Sequence, residues 1–234
     1  MKHLSESVTP VWVKFKKNPS LPYVLPFGVF LLFLALSAKT GLRPEIEYGL
    51  RVTILSLLLW FVSRRVISFK TVSTWGSILL GAAVFLMWIG PDLVSPAWRQ
   101  HWVFQNPIAG SAHQPPGGYA SLPASALFFR ALRAVAVVPI VEELFWRAWL
   151  MRWLVKPDFQ SIPLGFFERQ SFALTAVLFG LEHGAYWEVG LGSGIAYNWW
   201  MVRTRSLGDC ILAHAVTNAC LSAYVLLASK WQYW

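Results

Sequence analysis

Charge is scarce in this 234-residue sequence. Only 13% of the residues are Asp, Glu, Lys or Arg, about half the share of an average soluble domain. Apolar residues make up 56%. A chain so poor in charge cannot clothe a water-exposed globule, and so rich in apolar residues it is no disordered segment. Cysteine is equally sparse. Cys210 and Cys220 stand ten residues apart in one predicted helix, about 15 Å along its axis and too far to bridge. That excludes a disulfide scaffold, and the two form no metal motif.

Acids are outnumbered by bases, 11 against 20 Lys and Arg. In a soluble protein the resulting charge of +9 would point to nucleic acid. Here the basic residues fall between apolar runs. No basic stripe with interleaved aromatics stands clear of them, so nucleic-acid binding is not expected and topology is the better reading.

The abundant features are long apolar runs and 14 Trp. The runs predict an all-α, polytopic membrane helix bundle of about seven transmembrane helices, within a range of six to eight. They lie near Leu21–Ala38, Tyr48–Val62, Thr74–Ile89, Leu122–Val155, Ser171–Tyr186, Val189–Val202 and Leu207–Ala228. The first is long for the core of a signal peptide and reads as a retained span. Gly90-Pro91 is expected to stop the third. The fourth exceeds the ~30 Å membrane core, so it must tilt, kink or protrude, with Pro139 as the kink site.

Ten of the 34 residues from 90 to 123 are Gly or Pro, which marks a loop or re-entrant segment. Two regions result, 1–121 with the N-terminal spans and this loop, and 122–234 with the C-terminal catalytic bundle. The basic arm with Lys2, Lys14, Lys16 and Lys17, then Arg64-Arg65, then Arg203 and Arg205 fall on one side. That asymmetry places the N-terminus in the cytoplasm.

Ionisable groups inside apolar spans are costly, about 2.5–3.5 kcal/mol each on insertion scales, so their positions carry information. Three clusters occur. In Glu142-Glu143-Leu144-Phe145-Trp146-Arg147, Glu143 and Arg147 are i,i+4 and pair with each other. Glu142 points about 100° away and lacks that partner, as a general base or acid would. In Phe179-Gly180-Leu181-Glu182-His183, Phe179 and His183 share a face, and Glu182 is expected to meet solvent or headgroups. In the last cluster His214 and Asn218 project together, two donors aimed at one point as an oxyanion needs.

Each cluster alone has a plain structural reading as helix-packing glue. Together they offer a proton acceptor and oxyanion donors, the roles that peptide hydrolysis requires. A proton relay or transporter path through Glu142 and the two histidines is the competing class. Gly190 and Gly194 form a small-residue face expected to pack helices within the chain. Tyr197 and Asn198 follow on the same helix, either lining a cavity or packing.

The pattern Glu-Glu-x-x-x-Arg, Phe-x-x-x-His, His-x-x-x-Asn resembles the CPBP family of intramembrane proteases, which includes CAAX prenyl endoproteases and bacteriocin-processing or self-immunity (ABI) proteins. The resemblance covers residues 122–228. The sequences around Pro139–Arg147 and Leu212–Asn218 further resemble a CAAX-protease-related subfamily of bacteria with exosortase sorting systems.

The resemblance implies a metal-independent glutamic endopeptidase in the bacterial plasma membrane. Glu142 would activate water and His183 would orient it. His214 and Asn218 would stabilise the oxyanion, with Glu143, Arg147 and Phe179 as structural support. No cofactor is implied. Zinc held by Glu142, His183 and His214 is an alternative without the HExxH spacing. The partners would be membrane lipids and a membrane-associated peptide or protein. A non-catalytic immunity or scaffold protein is the other alternative.

One tension is visible from sequence. Glu142 falls near the inner end of its span and His183 near the outer end of the next, although a shared site needs one depth.

Overall fold

The computed structural model describes residues 18–36, 40–104 and 119–234. The arm with Lys2, Lys14, Lys16 and Lys17, the end of the first predicted span with Lys39, and the middle of the Gly/Pro-rich stretch lie outside the described residues.

Seven main helices carry the described chain, and it contains no strand. They are α1 (Leu21–Leu36), α2 (Pro44–Ser63), α3 (Thr74–Val94), α4 (Ala124–Trp153), α5 (Arg169–Glu182), α6 (Trp187–Thr204) and α7 (Leu207–Ala228). The fold is the expected polytopic helix bundle. Among the described residues α2, α3, α4 and α7 are long and apolar enough to cross a membrane. α1 is a shorter apolar helix. The chain is an integral membrane protein. Its outward side chains agree, since Trp75, Leu79, Phe61 and Leu227 are all exposed large apolar residues, a pattern that lipid satisfies and water does not.

Two boundaries correct the sequence reading. α3 does not stop at Gly90-Pro91 but runs on to Val94. A proline in the last turn removes only one helical bond, and Asp92 beyond it is held by Arg99 and the Tyr233 hydroxyl. α5 is shorter than expected, ending at Glu182. Gly184 follows with φ +56, the left-handed conformation with which glycine ends helices.

α3 and α7 pack closely beside the later site. A Cβ built on Gly81 would lie 2.4 Å from the Ala213 carbonyl oxygen. Thr217 Oγ1 donates across the same seam to the Gly81 carbonyl, 2.9 Å away. α5 and α6 pack in the same way, through Gly194 against Ala176 and Gly180 against Leu191. The Gly190–Gly194 face is thus used within the chain.

Candidate active site

α4 is not a uniform α-helix. Two π-helical stretches, Arg133–Val137 and Leu144–Leu150, bracket an α-helical turn at Val138–Glu143. Pro139 explains the first. Its ring cannot pack on a regular preceding turn and it has no N–H to give. The wider π turn takes up the residue, and Val138 N–H bonds back to Arg133 O. The next bond of that register would come from Pro139 to Ala134, and proline cannot make it. The Ala134 carbonyl is therefore left open, and Asn218 Nδ2 donates to it at 2.8 Å. An amide has two N–H groups, so Asn218 keeps one for another acceptor.

The second turn of the story is Glu143. Its carboxylate is fully buried and accepts from Arg147 Nη1 at 3.1 Å. The same oxygen accepts from His214 Nδ1 at 2.8 Å. Arg147 is also fully buried, donates through Nε to Asn198 Oδ1 at 3.1 Å, and lies over the Phe179 ring. Asn198 donates in turn to the Phe172 carbonyl. One ion pair thus ties α4 to α5, α6 and α7. Buried charges persist only when paired and hydrogen-bonded in this way.

His214 is oriented on both sides. With Nδ1 committed to Glu143, Nε2 faces Glu142 Oε2 at 3.9 Å. The Tyr197 ring stacks on the imidazole with centroids 5.1 Å apart, and its hydroxyl donates to Thr217. His183 sits where α5 ends. Its Nδ1 is 2.7 Å from the Phe179 carbonyl, which leaves Nε2 as the free nitrogen. Gly190 presses against this ring, and a Cβ there would come within 3.0 Å of Nδ1.

Glu142 differs from its neighbour. It is buried, yet its Oε2 has no hydrogen-bond partner. It lines a cavity of about 220 Å³ together with His183, His214 and Asn218. Four candidate side chains from three elements therefore share one cavity, while Glu143, Arg147 and Phe179 stand behind them. The depth tension resolves through helix length. α4 has 30 residues and α5 only 14, or about 21 Å at the α-helical rise. α5 starts beside Met151, through Ser171, and its far end reaches only the middle of α4.

Glu182 corrects the sequence reading. It meets neither solvent nor headgroups: both carboxylate oxygens are buried without a hydrogen-bond partner, beside Trp146. Tyr197 and Asn198 take the packing alternative, behind the cavity and against His214 and Arg147, whereas Thr217 was missed as site support, its only sequence signal being polarity inside an apolar span. Among the described residues no group of three or more His, Cys, Asp or Glu is placed to hold a metal ion.

Residues 124–220 match the family model of type II CAAX prenyl endopeptidase Rce1-like proteins. This segment is similar to that family. The match spans the stretch from α4 into α7 that contributes every one of the candidate side chains. No curated protein and no solved structure matches the chain.

Proposed function

We propose that this Rce1-like protein is an intramembrane glutamic endopeptidase that cleaves a membrane-associated peptide segment. The convergence of Glu142, His183, His214 and Asn218 on one cavity carries the reading. Glu142 takes a proton from water as the water oxygen attacks the scissile carbonyl carbon, and His183 Nε2 holds that water in line. The carbonyl electron pair moves to oxygen. Asn218 with its spare N–H and His214 through Nε2, when that nitrogen carries a proton, stabilise the oxyanion. Collapse re-forms the carbonyl, breaks the C–N bond and passes the proton from Glu142 to the leaving nitrogen. The products are a carboxylic acid and an amine.

The buried packing of Glu143, Arg147, Phe179 and Tyr197 behind the cavity supports this scheme, because hydrogen bonds to a developing charge gain strength in a low dielectric. A plasma-membrane location in a bacterium, a cytoplasmic N-terminus, the exosortase-linked subfamily and independence of metal belong to the same proposal.

The test is the set of C-terminal fragments in cells with wild-type protein against Glu142→Gln. Fragments that vanish in the variant while it inserts and accumulates normally support the peptidase. An unchanged fragment set overturns it and leaves a scaffold. Activity of the purified protein that a chelator abolishes would overturn the metal-free chemistry.

A further inference from the structure

Five arginines are buried among the described residues: Arg51, Arg99, Arg133, Arg147 and Arg152. Four are accounted for. Arg51 pairs with Glu47, Arg99 with Asp92 and Glu188, and Arg147 with Glu143. Arg152 donates to the carbonyls of Ala148 and Ile162. Arg133 is the exception, facing the Tyr48 ring at 5.8 Å from its centroid but pairing with no carboxylate or carbonyl among the described residues. It is only 9% exposed, and its Nε and Nη1 are shut from solvent with no hydrogen-bond partner. A buried cation left in that state is expensive unless an anion arrives.

Its surroundings narrow the choice of anion. Arg130, one turn earlier on α4, forms no salt bridge among the described residues. It is flanked instead by the rings of Tyr119, Trp234 and Tyr48, with a long 3.4 Å contact to the Tyr48 hydroxyl. Ser222 on α7 has a buried, unpartnered hydroxyl. All three residues line the same cavity as Glu142, His214 and Asn218. The order along α7 runs His214, Asn218, Ser222, each one turn on, and along antiparallel α4 it runs Glu142, Val138, Ala134, Arg130. The acids therefore sit at one end of the cavity and the unpaired guanidinium groups at the other.

We infer that Arg130 and Arg133, with Ser222, form a subsite for a carboxylate of the peptide substrate. The inference rests on the peptidase reading above and deepens it. A guanidinium fork matches a carboxylate in two parallel hydrogen bonds. The acids around Glu142 repel that carboxylate from the reacting end, so the cavity fixes the direction in which the peptide lies. Nine residues of α4 separate Arg133 from Glu142, about 13 Å of helix. Extended peptide advances about 3.3 Å per residue, so the carboxylate belongs roughly two to four residues from the scissile bond. Both an acidic side chain and a chain terminus supply it.

The experiment uses full-length protein in phosphatidylcholine nanodiscs and a library of apolar fluorogenic decapeptides in four forms. These carry Glu or Gln at each position in turn, and a free or amidated C-terminus. Wild-type protein should favour one carboxylate-bearing form over its neutral partner by roughly 10- to 100-fold in kcat/KM, chiefly through KM. A preference in the terminal arm identifies the terminus as the source, and one in the Glu/Gln arm identifies a side chain. In Arg133→Gln the ratio should fall towards one, and Arg133→Lys should restore part of it.

Binding of the same peptides to the Glu142→Gln protein separates the two ideas. Carboxylate-selective binding that needs Arg133, without cleavage by wild type, upholds the subsite and removes the peptidase. Cleavage with equal rates for charged and neutral forms overturns the subsite and leaves the peptidase standing. Loss of both forms alike in a folded Arg133→Gln also overturns it. So does phosphatidylglycerol in the nanodiscs if it abolishes the preference, because the anion is then a lipid headgroup.

Discussion

His214 Nδ1 and Glu143 Oε1 meet across 2.8 Å between α7 and α4, at the oxygen that also receives Arg147. The contact makes Glu143 an architectural acid, although it is adjacent in sequence to the acid that faces the cavity. The division follows from helix geometry, since consecutive residues point about 100° apart.

Removing the architectural acid should therefore unfold the protein more readily than removing its neighbour. Glu143→Ala strands Arg147 in the interior, where breaking a buried pair costs about 3–5 kcal/mol. Glu142→Ala deletes a carboxylate that no hydrogen bond holds at Oε2, and stability should change by less than about 1 kcal/mol. Replacing both members of the pair, as Glu143→Leu with Arg147→Met, should cost less than the sum of the single changes. Thermal unfolding in detergent measures the single and double variants alike. A Glu142→Ala protein as unstable as Glu143→Ala would refute the division.

Glycine at 81 sets how closely α3 approaches α7. Gly81→Ala places a methyl 2.4 Å from a backbone oxygen, which cannot swing aside as a side chain can. A loss of about 1–3 kcal/mol is expected, together with weaker placement of Thr217 and its neighbour His214. Gly28 in α1 has no atom within 4 Å of its built Cβ, so Gly28→Ala should be neutral or stabilising by a few tenths of a kcal/mol. Side-by-side melting curves of the two variants test the contrast.

Outside the membrane, Glu168 caps the start of α5 and accepts from the backbone N–H groups of Gln170 and Ser171. Those bonds hold its carboxyl below the ordinary value of 4.5. A group depressed in the folded state binds fewer protons there than when unfolded. Its contribution is complete above pH 4.5, shrinks as pH falls below that, and is gone beneath the folded value. Glu168→Gln should therefore melt below wild type at pH 7, and the gap should narrow as pH falls below 4.5. A gap that stays constant across that range would contradict the cap.

The Tyr233 hydroxyl donates to Asp92 Oδ2 at 2.6 Å and helps hold the tail across the cavity mouth. Burial and the adjacent carboxylate both push its ionisation above that of a free phenol. Alkaline titration at 295 nm should then show the same amplitude up to about pH 11 in wild type and Tyr233→Phe. A smaller amplitude in the variant would mean that Tyr233 ionises with the exposed tyrosines.

Much of the bundle was legible because lipid leaves little freedom. Apolar runs of span length can only be helices, and α7 falls on its predicted limits of Leu207 and Ala228. The ends that moved are those where local chemistry competes with hydropathy, at Pro91 and at Gly184. The Glu143–Arg147 pair was legible as well, because i,i+4 contacts are local.

Sequence alone, then, determined a membrane-embedded helical chain and which few polar side chains its apolar spans tolerate, since both follow from local periodicity and the cost of charge in hydrocarbon. Tertiary structure decided which of them meet. The short α5 brings His183 level with Glu142, the packed bundle buries a second acid at Glu182, and the π turn before Pro139 frees the carbonyl that fixes Asn218. These depend on helix lengths, close glycine seams and a missing N–H acting between segments up to 136 residues apart, and no local pattern encodes contacts of that range.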